Sequence, residues 1–297
     1  LRASCNRNRT RIGIMILGKG KHRFRFVENW GLGSEGRPFG GVVPSVATDS
    51  LDRVYITRRT PPAVLIYDRD GRYLGEWGEN IFHKPHSVWI SDQDEVWVTD
   101  TEDHTVRLLT TEGKLIRTWG TEGVPGKPGE PFNRPTWAIR SPDGDIFVTD
   151  GYGQHRIHHF SADGDLLHSW GSKGAKSGQF SLPHGLRMDP RGRILALDRD
   201  PNHRLQIFDT NGTFIEQWTD LYGPNDICID KDEIVYIAEG GSHCVSLWTL
   251  EGELLDRLGP KGEPFPHGLH GLWVDSHGDI YVTEVLADSR LQKFERI

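Results

Sequence analysis

Residues Phe82–Gly120 read FHKPHSVWISDQDEVWVTDTEDHTVRLLTTEGKLIRTWG, and the segment Phe132–Gly171, FNRPTWAIRSPDGDIFVTDGYGQHRIHHFSADGDLLHSWG, has the same plan. Each holds four short runs rich in β-branched and aromatic residues, parted by turn clusters such as SPDG and SADG. Runs of this composition between Asp-Gly or Glu-Gly turns read as antiparallel hairpins. Working outward, Trp-Gly closes a unit at Trp30-Gly31, Trp77-Gly78, Trp119-Gly120 and Trp170-Gly171, with Trp218-Thr219 and Leu258-Gly259 in the same place. Units begin near Val43, Phe82, Phe132, Phe180, Leu221 and Phe265. Four strands repeated at this period predict an all-β, six-bladed β-propeller of four-stranded antiparallel blades.

The last unit ends at LQKFERI without a closing strand, and Phe24–Gly31 (FRFVENWG) is an unattached strand of that type. The N-terminal strand is therefore expected to close the sixth blade, which removes two open sheet edges. This divides the chain into a loose tail, 1–23, and one propeller domain, 24–297. The basic start, LRASCNRNRTRIGIMILGKG, has a short apolar run and no clear cleavage site, so it is not read as a signal peptide.

Composition narrows the function. The chain has 297 residues, a net charge of −7 and acidic and basic residues interspersed, which argues against a nucleic-acid surface. No stretch approaches the ~18 apolar residues of a membrane helix. Three cysteines, Cys5, Cys228 and Cys244, make a disulfide framework improbable and suit a reducing, cytoplasmic location. The expected partner is a small molecule, not a membrane or nucleic acid; the oligomeric state is left open.

Residues shared by nearly every unit serve the blade. That covers the Trp of Trp-Gly, read as inter-blade packing, and the turn histidines His104, His155, His203 and His243. A different set breaks the repeat. Counted twelve residues back from the third residue of the second-strand runs VYI, VWV, IFV, ILA, VYI and IYV, the six units carry Pro44, His86, Thr136, His184, Asn225 and His270. Histidine on alternate blades of a six-blade ring places three imidazoles around the axis at one mouth of the channel. Such a set suits zinc or another divalent metal with an open position. Singly, each could instead cap a strand entrance, and His267 rivals His270. After the second strand Asp100, Asp150, Glu239 and Glu284 recur as turn or packing acids, whereas Arg59, Tyr152 and Arg199 depart from the pattern. Arginine can grip a carboxylate, and a tyrosine near a cation can act as a base.

With PHS, PHG, DGYGQHR and DRDPNHR in place, the chain from about Val43 onward resembles NHL-repeat propellers, and among them the catalytic core of peptidyl-α-hydroxyglycine α-amidating lyase and its bacterial relatives. The resemblance implies zinc on His86, His184 and His270, a catalytic Tyr152 and functional Arg59 and Arg199. The implied reaction cleaves the C–N bond of an α-hydroxyglycine to give an amide and glyoxylate. Two departures bear on it. Gly153 stands where the family has a disulfide cysteine, and Gly271 where its structural calcium site has an aspartate, so calcium is in doubt. The expected function is a metal-dependent lyase acting on an α-hydroxy-amide or small, carboxylate-bearing hydroxy acid. The alternatives are a zinc-dependent hydrolase of a lactone or ester, and a non-enzymatic, protein-binding propeller.

Overall fold

Six sheets stand around one axis in the computed structural model, which describes residues 15–32, 39–259, 264–286 and 290–297. Five are four-stranded and antiparallel, as expected. Their innermost strands begin at the mouth positions singled out above: Ser45–Thr48, Pro85–Ile90, Trp137–Arg140, Pro183–Met188, Pro224–Ile229 and, in blade six, Leu269–Val274. Each touches the innermost strand of the next blade, and blade six returns to blade one, so the ring is closed. No helix of the described residues is long and apolar enough to cross a membrane.

Closure differs in one detail from the sequence reading. The strand that completes blade six is His22–Val27, paired antiparallel with Arg290–Arg296 through Phe24 opposite Arg296 and Phe26 opposite Phe294. Outside it lies a further strand, Ile16–Lys19, which makes this sheet five-stranded. The stretch expected to be a loose tail up to residue 23 thus contributes a hairpin from Ile16; residues 1–14 lie outside the described residues. The physical reason is local. Gly20, at φ +56°, allows the tight Lys19–His22 reversal, and Leu17 packs against the apolar core between blades five and six.

The Trp-Gly repeat welds neighbouring blades. A Cβ added to the hairpin glycines Gly71, Gly113, Gly164, Gly212 or Gly252 would come within 3.1 Å of the indole of Trp30, Trp77, Trp119, Trp170 or Trp218 in the preceding blade. Only a bare α-carbon lets the turn lie against the ring. Trp30, Trp77 and Trp119 also donate their indole N–H to backbone carbonyls of that turn.

The repeated turn histidines serve the blade too. All four adopt left-handed backbone, φ +57°, +58°, +50° and +54° for His104, His155, His203 and His243. Each ring then bonds the backbone of the next blade through Nδ1: His104 accepts from Arg134 N–H and His203 from Gly223 N–H, while His155 and His243 donate to the carbonyls of Ser181 and Phe265. The strained backbone costs ~1 kcal/mol, about what one such bond returns. Cys228 and Cys244 are buried free thiols.

Candidate metal centre

Each innermost strand delivers its first residues to one mouth of the channel, and the acid ending the second strand holds the approach in place. Asp100 accepts from the N–H groups of His83 and Lys84, Asp150 from Asn133, Asp198 from Ser181 and Leu182, Glu239 from Tyr222, and Glu284 from His267. These acids have the turn role expected of them, and Asp198 joins the set. His267 is spent in this brace: its carbonyl also accepts from Leu286 N–H, and it is not part of the histidine cluster.

His86, His184 and His270 converge. Their ring centroids are 4.8, 4.9 and 5.0 Å apart, nearly an equilateral triangle, and all three side chains are buried. Each points one nitrogen away from the axis. His86 Nδ1 donates to the carbonyl of Thr136 at 2.9 Å, His184 Nδ1 to Asn225 at 2.6 Å, and His270 Nδ1 to Pro44 at 2.7 Å. The three acceptors are the mouth residues of the three blades without histidine. Alternation is therefore functional on both sides, since every histidine is oriented by the carbonyl of its neighbour. A carbonyl accepts only from N–H, so each ring keeps its Nδ1 proton and presents a bare Nε2 lone pair. Burial holds all three imidazoles neutral, pushing His270 down to about 3 and His86 and His184 well below their usual value.

Three neutral imidazoles with second nitrogens anchored to carbonyls are a fitting donor set for a divalent metal of zinc type. Among the described residues this is the one cluster of three or more His, Cys, Asp or Glu side chains close enough to share an ion.

Tyr152 closes over two of the donors. Its hydroxyl is 3.1 Å from His86 Nε2 and 3.3 Å from His184 Nε2. Burial raises its pKa, and the guanidiniums of Arg199 and Arg59 oppose that rise. Arg59 and Arg199 occupy one repeat position on opposite blades. Arg59 N–H donates to the carbonyl of Val42, and Arg199 N–H to that of Leu182, each acceptor two residues before its mouth residue. Among the described residues the Nε of each arginine is buried without a partner, a donor left for something else. Both line a cavity of about 350 Å³ with Tyr152, His270, Asn225 and the glycines 223, 240, 241 and 268. A smaller cavity of about 210 Å³ lies on the other side of Tyr152 and Arg59, bounded by His86, Thr101, Lys84 and Arg134.

The structure thus brings all six sequence-nominated site residues to one mouth. Lys84 and Arg134, which the sequence reading did not single out, also line this mouth, at the repeat position two before the mouth residue. At Gly271 a Cβ would meet Thr283 Oγ1 at 2.5 Å and the Pro44 carbonyl at 2.7 Å, so nothing larger than glycine fits there as the strands stand.

Comparison with known proteins bears on this arrangement. A model of the NHL repeat matches residues 180–208, the first three strands of blade four with the His184 mouth. Peptidyl-alpha-hydroxyglycine alpha-amidating lyase 1 of Drosophila melanogaster is 35% identical over 131 residues, 40% of this chain and 24% of that protein. The chain is a six-bladed propeller that carries an NHL-repeat match in blade four and resembles the amidating lyases. The resemblance reaches beyond proteins named as enzymes: NHL repeat-containing protein 3 of Homo sapiens is 31% identical over 165 residues, 51% of this chain and 47% of that protein. Both matches span less than half of the relative's own length. In fold, the chain is similar to a gluconolactonase from Xanthomonas campestris, with a TM-score of 0.68 at 14% identity, covering 93% of this chain and 90% of that one.

Proposed function

We propose that the protein is a zinc-dependent lyase that cleaves the C–N bond of an α-hydroxyglycine amide, releasing glyoxylate and an amide. The observation that carries this is the Tyr152 hydroxyl lying against two Nε2 donors, with Arg59 and Arg199 on opposite blades beside it. His86, His184 and His270 would hold the metal, which supplies a positive charge that polarises a substrate oxygen. Arg59 and Arg199, each with a buried Nε that has no partner among the described residues, grip the substrate carboxylate.

In the reaction the carbinol O–H is lost, its C–O bond becomes a carbonyl, the C–N bond breaks, and nitrogen gains a proton. The net proton movement is from oxygen to nitrogen. Tyr152 can relay it, giving its own proton to the nitrogen and taking the carbinol proton. The test is glyoxylate release from α-hydroxyhippurate by zinc-loaded protein. Tyr152→Phe should keep its metal and lose about 100-fold or more in rate. No glyoxylate from protein carrying stoichiometric zinc sinks the proposal.

The second reading is lactone or ester hydrolysis, favoured by the gluconolactonase-like fold and by a donor set that lowers the pKa of water on a metal. Acid release from gluconolactone, without glyoxylate from the hydroxyglycine, would select it.

A further inference from the structure

The position two residues before each mouth residue reads Val42, Lys84, Arg134, Leu182, Gly223 and Gly268 around the ring. Its equivalence is structural in five blades. The carbonyls of Val42, Lys84, Leu182, Gly223 and Gly268 accept from the N–H groups of Arg59, Thr101, Arg199, Gly240 and Val285. Cations therefore stand only on adjacent blades two and three, and glycines only on blades five and six.

Backbone conformation sharpens the contrast. Gly223 and Gly268 have φ +61° and +76°, and Arg134 has φ +65°. Blade three thus holds an arginine in left-handed backbone that blades five and six supply with glycine. An L-residue there is strained, and strain of this kind collects at ligand clamps.

Lys84, Arg134 and Arg59 all bound the smaller cavity, and His86 and Tyr152 form its inner wall. One carboxylate, Glu102, is bonded to two of these three cations: it accepts from Lys84 at 3.1 Å and from Arg134 at 2.5 Å. Those two bonds hold Glu102 down to about 2, so it stays ionised and the cavity keeps a surplus of positive charge. The larger cavity, past Tyr152, shares Arg59 with the smaller one and has Arg199 beside Asp200 at 3.7 Å, but blades five and six line it only with glycine backbone, Asn225, Leu269, His270, Val285 and Leu286. The mouth is thus polarised, cationic over blades one to three and neutral over blades five and six.

We infer that Lys84 and Arg134 form an anion subsite, so that the substrate class is a hydroxy acid derivative carrying a second anionic group at the end away from the glycine arc. This rests on the reading of Arg59 as a carboxylate grip beside the metal. It makes Lys84 and Arg134 specificity residues, in binding contact with substrate but remote from the bond that breaks.

The test is calorimetric binding of glycolate and of malate to zinc-loaded protein at low salt, where surface charges are least screened. The variant is Lys84→Leu with Arg134→Gly, the residues that blades four to six use at this position. Arg134→Gly also relieves left-handed strain, so the pair is compatible with the fold. Malate should bind the parent protein about tenfold tighter than glycolate, the worth of one charge-assisted contact, and the variant only about twofold tighter. Lys84→Arg alone should keep the preference, which a merely structural role would not require. An equal preference in parent and variant, or none in the parent, overturns the subsite while leaving the metal mouth intact. If neither anion binds the parent protein, the carboxylate grip at Arg59 falls as well.

Discussion

His184 donates its Nδ1 hydrogen to the carbonyl of Asn225 at 2.6 Å, and that bond sets which nitrogen faces the channel axis. The same bond joins His86 to Thr136 and His270 to Pro44, so the six mouth residues form three donor–acceptor pairs. The blades without histidine are as much part of the centre as those with it, through backbone atoms that any residue could supply.

Metal content follows from this pairing. The protein should carry about one zinc per chain by mass spectrometry, and His184→Ala should lose most of it. Saturating zinc at about 100 times its Kd should stabilise the parent by ~2.7 kcal/mol in thermal melts and leave the variant nearly unmoved. Full zinc occupancy in His184→Ala would place the ion elsewhere.

The weld between blades can be tested by adding one methyl group. Gly113 (φ +82°) would bring a Cβ to 2.5 Å from the Trp77 indole, whereas Gly192 (φ +75°) has nothing within 4 Å. Gly192→Ala therefore reports the backbone term alone, about 1 kcal/mol. Gly113→Ala adds the clash and should lower the melting temperature clearly further. Equal losses would mean that the indole contact contributes nothing.

Asp226 governs part of the pH dependence. Burial pushes its carboxyl up to about 7, although Arg187 and the N–H groups of Leu272 and Ile227 oppose the rise. Its folded pKa lies above the unfolded one, so the folded state holds the proton longer. Stability should therefore fall as pH rises from about 4 to about 7 and then level, with a contribution on the order of 4 kcal/mol. Asp226→Asn loses one side-chain acceptor for a backbone N–H at every pH but should remove that slope. Denaturant melts at pH 4.5, 6 and 8 would show it, and an unchanged slope would clear Asp226 of the effect.

The turn histidines should behave as structure. His243 donates to the Phe265 carbonyl at 3.0 Å from backbone at φ +54°. His243→Ala loses the bond and keeps the strain, a loss of about 1–2 kcal/mol, while His243→Gly loses the bond and relieves the strain. Both should retain full zinc. Metal loss in either would tie this turn to the centre.

Much of the site was legible because a propeller maps one repeat position onto one height along the axis. Counting back twelve residues was enough to pick out His86, His184 and His270, and to expect them at a single mouth. The same regularity separated Trp30 or His104, which follow the repeat, from Tyr152, Arg59 and Arg199, which break it. The N-terminal hairpin escaped because Ile16–Lys19 has no counterpart in the other blades, and only Leu17 reaching the core gives it a reason to form. Lys84 and Arg134 escaped because a lone cation before a proline reads as a solvated loop residue until its neighbours are known.

The sequence by itself determined the number of blades, the strand that closes them and the three histidines at one level, since each depends on period and composition along one chain. Only the tertiary structure decided the rest: the carbonyls that orient the imidazoles, the phenol against two of them, and the split of the mouth into cationic and glycine arcs. Those partners of the imidazoles lie 32 to 226 residues apart in the chain, as Tyr152 with His184 and His270 with Pro44. Spacing along a strand is a property of covalent geometry, whereas the meeting of side chains from different blades exists only once the ring has closed.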